Sequence, residues 1–312
     1  MTELQKFDFM VICSFLKYSQ ITPAPATIYS SAFYKRSFMF YLRNFIILLA
    51  FTSQLFSRDV TNGTVAIFEF DAAQVKSLYK DSAPLPLLNH PTDPSKRIAL
   101  LAVPYTNAPK NIILLLTGLQ GTQSLHVKVV QGNYDKEVLH VEPSKVSPPK
   151  EVLARIKQEK DEAMAIYTTF NPKRLWSSPF ELPMQSLVTS AYGNARIFND
   201  TLQSYHSGTD FRASIGTPVI ASNDGVVVLA KDRYYAGESI VIDHGEGIYS
   251  VYYHLSQKNV PVGATVRKGD VLGLSGMSGR VTGPHLHFGF MVQGIAVDPL
   301  DFITHINTLF HP

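Results

Sequence analysis

Pro284-His285-Leu286-His287-Phe288 runs on to Val292 as apolar residues and is read as a strand. Successive side chains of a strand leave on opposite faces, so His285 and His287 point together while Leu286 turns away toward a core. Other short segments rich in Val and Ile surround it: Pro218-Ser222, Gly225-Ala230, Ser239-Asp243, Ile248-Tyr253 and Asp270-Ser275. No helical stretch of any length interrupts them, which predicts a mostly antiparallel sheet. Asn223-Asp224-Gly225 is a strong tight-hairpin signal between the first two segments.

Two further motifs share this region: H-S-G-T-D with His206 and Asp210, and Y-Y-H-L-S with His254. Each is weak alone, because an isolated H-x-x-x-D or H-x-H is more often an ordinary loop or strand than a metal site. Their joint occurrence in one β-rich region is the informative signal. Two histidines and one carboxylate leave a fourth position open on a tetrahedral ion, the arrangement of a catalytic rather than a structural zinc. Cys13 is the single cysteine, so neither an internal disulfide nor a thiolate metal site is available. The glycine-rich segment Ser275 to Gly283 lacks the G-x-x-x-x-G-K-[ST] pattern of a phosphate loop. His244, in Asp243-His244-Gly245, reads as part of a turn, and His90, His126, His140, His305 and His311 read as surface residues.

Gly208 beside His206, Gly216-Thr217-Pro218-Val219, Tyr253-His254-Leu255-Ser256, Lys268-Gly269-Asp270 and Gly273 through Gly283 leading into Pro284-His285-Leu286-His287-Phe288 closely resemble the LytM/lysostaphin-type zinc metalloendopeptidases. The resemblance runs from about Leu187 to Ile303. It implies that His206, Asp210 and His287 are the ligands of one zinc per chain and that His254 and His285 are the catalytic histidines. It also implies peptidoglycan peptide as substrate. No glutamate stands between the ligands, unlike the H-E-x-x-H zincins, so the proton shuttle falls to a histidine.

Outward from this region, Asn171 to Pro183 holds Pro172, Pro179, Pro183 and the only tryptophan, Trp176, and reads as an ordered prolyl connector over 171–186. Before it, Ser147-Pro148-Pro149 opens a stretch to about Tyr167 with Val152, Leu153, Ile156, Ala163 and Ile166 near helical spacing. Earlier still, Val65-Phe70, Arg97-Val103, Asn111-Thr117, Leu125-Val130 and Glu137-Val141 are short strand candidates; period two in Leu125-Val129 sends His126 and Lys128 to solvent. The expected fold is mainly β: a β-sandwich-like region over 58–170 closed by one amphipathic helix, an antiparallel-sheet peptidase domain over 187–303, and a tail over 304–312.

With 312 residues, 45% hydrophobic and 17% charged, the chain can bury real cores and is not a disordered or low-complexity protein. Residues 1–57 hold five Lys+Arg against two Asp+Glu, which leaves 23 of each sign (28 − 5 and 25 − 2) beyond. That neutral remainder argues against nucleic-acid binding. Phe45 to Phe51 is apolar behind Lys35, Arg36 and Arg43, too short to span a bilayer but fitting the h-region of a signal peptide read from Met39, with Ser57 at the cleavage point. Export to the envelope of a bacterium is the expectation, with membrane contact only through an uncleaved N-terminal segment. The function expected is an endopeptidase cutting peptidoglycan cross-links. The alternative is a non-catalytic envelope regulator that activates other hydrolases, whose mark would be lost ligands; here all five positions are filled.

Overall fold

The strand Lys96–Ala102 is buried on both faces, and the architecture follows from that. Ile98, Leu100 and Ala102 join one apolar core, while Ala99 and Leu101 alternate with them into a second. A strand with two dry faces needs an unbroken apolar run rather than alternation, which is what Ile98 to Val103 provides. The structure is a computed structural model that describes residues 57–107, 109–200 and 202–311. The leader expected around Met39 lies outside the described residues. Among those described, no helix is long and apolar enough to cross a membrane.

In the N-terminal half, a five-stranded sheet contains Ser57–Thr61, Val75–Lys80, Ala83–Leu85, Asn111–Gly118 and Gly121–Val130; a three-stranded one contains Val65–Asp71, Leu88–Asn89 and Lys96–Ala102. Val60, Leu78, Ile112, Leu114, Val127 and Val129 from the first sheet meet Ala66, Ala99 and Leu101 from the second in one core. In Gly121–Val130, Val127 and Val129 are buried and Lys128 is exposed, as the period predicts, while His126 is half-buried rather than fully in solvent.

The C-terminal half is a ten-stranded sheet whose pairings are all antiparallel. Its core includes Phe211, Tyr252, Leu286, Phe288 and Phe290, together with Ile98 and Leu100 from the first half and Trp176 and Phe180 between. Apolar packing is therefore continuous across the segment 171–186. Each fully buried Phe or Leu stabilises by roughly 1.5–3 kcal/mol, so this shared core binds the halves firmly. Residues 304–311, expected as a tail, instead continue helix Pro299–Asn307 and its following turn, and Ile306 and Leu309 enter the same core. Asp298 caps that helix by accepting from the Leu300 and Asp301 amides.

Two expectations need correction. Asn223-Asp224-Gly225 makes a turn but no hairpin: Pro218–Ile220 pairs with Val271–Ser275, whereas Gly225–Arg233 pairs with Gly237–Asp243. The turn's polar groups are used elsewhere, since the Asn223 amide donates to the Ser178 carbonyl and an Asp224 carboxylate oxygen accepts from the Lys268 amide. The helix, Lys150–Tyr167, does not close the first half. Its Ala163 and Tyr167 pack on Leu229, Val241, Tyr249 and Val251 of the large sheet.

Candidate metal centre

Strand register brings the site together. Thr209–Arg212 lies antiparallel beside His285–Val292, with Asp210 opposite His287 and Arg212 opposite His285. On the other flank, Tyr253 of Ile248–Lys258 faces His287. Leu286 and Phe288 enter the core, so both histidines are left on the opposite face. His206 follows the strand Leu202–Tyr205, and Gly208 lets the chain pass close by: a Cβ there would lie 2.5 Å from the Phe288 carbonyl and 2.7 Å from the His287 ring.

His206 Nε2, Asp210 Oδ1 and His287 Nδ1 form a triangle with all three sides 2.9 Å. Ligand atoms around a tetrahedral zinc with ~2.1 Å bonds stand ~3.4 Å apart, so the group needs only a small outward adjustment. His206 Nδ1 lies 2.9 Å from the Ala191 carbonyl and 3.0 Å from Ser190 Oγ, which assigns the proton to Nδ1 and leaves a bare lone pair on Nε2. A lone pair facing a carboxylate oxygen at this range is repulsive unless a cation lies between them. The donor set thus fits a divalent metal. The three residues are 1%, 5% and 6% exposed.

Electrostatics keep these groups in the forms a metal requires. Burial pushes the His287 imidazole down to about 4 despite the pull of Asp210, so it is neutral at pH 7. Asp210 Oδ2 accepts from Arg196 at 2.7 Å, leaving Oδ1 for the metal. Arg196 also reaches Glu137 at 3.2 Å and Ser190 at 2.9 Å, so three groups hold the guanidinium in place.

His254 reaches the site through a backbone irregularity. Strict alternation would send it inward beside Tyr252, away from Tyr253. Instead the pairing with Gly237–Asp243 slips between Glu238 and Ile240, and His254 has φ +63°, in the left-handed region. Tyr252 and Leu255 both enter the core, while Tyr253 and His254 both face the site. His254 Nδ1 is 2.8 Å from the Ser278 carbonyl, and His285 Nδ1 is 2.8 Å from the Gly283 carbonyl, so each presents Nε2 as an acceptor. Their rings are 4.8 Å apart, and His285 Nε2 is 3.7 Å from Asp210 Oδ1. Burial, then the neighbouring His287 and His285, lower the His254 imidazole well below its ordinary range. All five residues singled out in the sequence therefore meet in one place.

Two cavities flank the centre. One of about 400 Å³ lies between the helix Lys150–Tyr167 and the sheet; another of about 310 Å³ runs along Thr282, Gly283 and His285. Arg196, Phe198, His254 and Arg280 line both. Sequence reasoning passed over Arg196 and over Tyr253, whose ring stacks on His287 at 5.2 Å and whose hydroxyl meets that of Tyr167 at 2.7 Å. Tyr253 had one available signal, its adjacency to His254. His244 is corrected: it is fully buried.

A buried two-histidine, one-carboxylate group with one open side, on the strands that carry H-x-H and H-x-x-x-D, agrees with the match of residues 204–299 to Peptidase family M23. The chain carries an M23 peptidase domain. Over 95 residues this M23 region is 50% identical to the peptidoglycan DD-endopeptidase ShyA of Vibrio cholerae, an alignment covering 30% of this chain and 22% of that protein. Over 95 residues it is 41% identical to the DD-carboxypeptidase/endopeptidase Mpg of Neisseria meningitidis, again covering 30% and 22%. The matched region therefore spans about a fifth of the length of these curated relatives. A crystal structure from Pseudomonas aeruginosa assigned to peptidase M23 aligns with a TM-score of 0.62 at 27% identity, over 80% of this chain and 97% of that one. That likeness in fold extends well beyond the M23 domain.

Proposed function

We propose that this protein is a zinc-dependent endopeptidase that hydrolyses the peptide cross-links of bacterial peptidoglycan, acting in the cell envelope. The observation that carries the reading is the triangle of His206, Asp210 and His287, with two further histidines beside it that are not needed as ligands. The names of the relatives, peptidoglycan DD-endopeptidases among them, support the substrate class.

When bound, zinc supplies polarisation of the scissile carbonyl and acidifies the attacking water toward ~7. The protein's own residues do the rest. His206, Asp210 and His287 would hold the ion, and Arg196, by donating to Asp210 Oδ2, would leave Oδ1 for it. His254 and His285 offer Nε2 to the open side: one takes the proton from the attacking water and the other faces the carbonyl oxygen and the leaving amine. His254 remains neutral at pH 7 because burial opposes its charged form, so it is ready to accept a proton.

The test is digestion of purified sacculi with zinc-loaded and chelator-treated protein, followed by separation of the muropeptides. Loss of cross-linked dimers and gain of monomers only with metal is the expected result. Unchanged dimers with fully loaded protein would overturn the proposal.

A further inference from the structure

Gly279 has φ +81°, and a Cβ on it would lie 2.5 Å from the Gly237 nitrogen and the Tyr235 carbonyl. The Arg280 amide donates to that carbonyl at 2.8 Å, so the loop is pinned against the Tyr235 turn and the Arg280 side chain leaves in a set direction. Its guanidinium carbon lies 4.4 Å from the Phe198 ring centre and 4.5 Å from that of Tyr235. Arg280 is half-buried and lines both cavities alongside His254.

Three other arginines of this half are engaged by oxygen. Arg196 holds Asp210 and Glu137, Arg174 holds Glu246, and Arg233 bonds the Tyr253 hydroxyl and the Glu159 carbonyl. For Arg280, the contacts among the described residues are the two ring faces; no carboxylate or carbonyl bonds its guanidinium. Burial acts most against its charge, Tyr235 favours it and the nearby Arg196 opposes it. The acids lining the two cavities are committed: in the second, Asp210 to the histidines and Arg196 and Glu137 to Asn194 and Arg196; in the first, Glu159 to Arg155 and the Tyr234 amide. Arg212, exposed at the rim of the second cavity, adds a further cation. The wall beside His254 therefore carries uncompensated positive charge. A guanidinium that packs over aromatic rings and bonds no acceptor keeps its N–H donors for a bidentate partner, and carboxylate is the geometry those donors match.

We propose that Arg280 is a specificity-determining residue that binds a carboxylate of the peptide substrate next to the bond that is cut. This rests on the endopeptidase function proposed above. The carboxylate can be the C-terminal one of a stem or a branch carboxylate within it.

The test uses full-length zinc-loaded protein and synthetic cross-linked peptides in three forms: both carboxylates free, the C-terminal one amidated, and the branch one amidated. Amidating the recognised carboxylate is expected to raise KM about 10- to 100-fold with kcat nearly unchanged, the size of a lost charge-assisted hydrogen-bond pair. Arg280→Met should raise KM on the free acid by the same factor and become indifferent to amidation, with zinc content and melting temperature unaltered; Arg280→Lys should fall between. The amidation arm that raises KM identifies the source of the carboxylate. Equal KM for all three peptides with the natural protein, or an amidation effect that survives in Arg280→Met, would overturn the assignment. Calorimetric binding of the same peptides to zinc-loaded His285→Ala protein reads Arg280 without turnover. A loaded protein that binds free acid over amide but cleaves nothing would sink the endopeptidase function and leave the Arg280 site standing.

Discussion

The large sheet buries two histidines and uses them differently. His287 and His244 are both removed from water, and in both burial presses the imidazole to about 4. His244 has a partner on each nitrogen, the Asp224 carbonyl at 2.7 Å and Ser250 Oγ at 2.8 Å, with Phe180 edge-on at 5.2 Å. Its hydrogen-bonding capacity is used up inside the protein. Around His287 the acceptors converge on one another at 2.9 Å, and two cavities open beside them. A depressed histidine pKa thus reports burial alone. What distinguishes a metal centre from a core histidine is where the lone pairs point.

The largest effect expected from breaking this contrast is that of His287→Ala, which should lose zinc and all measurable cell-wall cleavage together. His244→Ala should retain stoichiometric zinc and lose about 2–4 kcal/mol of stability instead, from the cavity and the stranded Ser250 and Asp224 oxygens. Elemental analysis and urea melts on the two variants decide it; zinc retained in His287→Ala would remove that residue from the ligand set.

Next in size are His254→Ala and His285→Ala. Each should keep zinc and fold while cleavage falls by ~10²–10⁴-fold, as for loss of a general acid-base group. Undiminished cleavage in both would refute their assignment, and metal loss in His285→Ala would place it among the ligands.

The third prediction concerns pH. His244 titrates near 6.5 when unfolded and near 4 when folded, so between those values the unfolded chain binds more protons. Stability should therefore fall as pH drops from 6.5 toward 4, by roughly 3 kcal/mol for this group, and level off below. Comparing unfolding midpoints of metal-free His244→Asn and parent protein across this window isolates the contribution; identical pH slopes would contradict it.

The smallest effect belongs to Arg196. Arg196→Gln frees the second Asp210 oxygen, and zinc affinity should weaken by about 10- to 100-fold with the three ligands still present. Competition with a chromophoric chelator measures it, and unchanged affinity would show that Asp210 needs no such tether.

Much of this was legible beforehand because strands are periodic. In Pro284-His285-Leu286-His287-Phe288 the alternation alone separates two imidazoles from two core residues, and the strands near 97–103, 111–117 and 286–292 are where their apolar runs place them. His254 shows where periodicity stops being a guide, since a slip in pairing and one positive φ reverse the direction of its side chain. The Asn223-Asp224-Gly225 turn misled for a related reason. Local turn chemistry specifies a bend, whereas pairing partners are set by strands far away in the chain.

What the sequence by itself determined was the supply of ligands: two histidines held two apart on a strand, a third histidine with a carboxylate four residues on, and no thiolate to compete. Residue types and short spacings are local, so they survive without knowledge of the fold. Only the tertiary structure decided that Asp210 stands opposite His287, that Arg196 turns one Asp210 oxygen outward, that Tyr167 of the helix braces Tyr253 against His287, and that Arg280 packs over the Phe198 and Tyr235 rings. Those contacts join residues 14 to 86 positions apart. Such distances are closed by strand register and core packing, and neither is encoded in any single stretch of the chain.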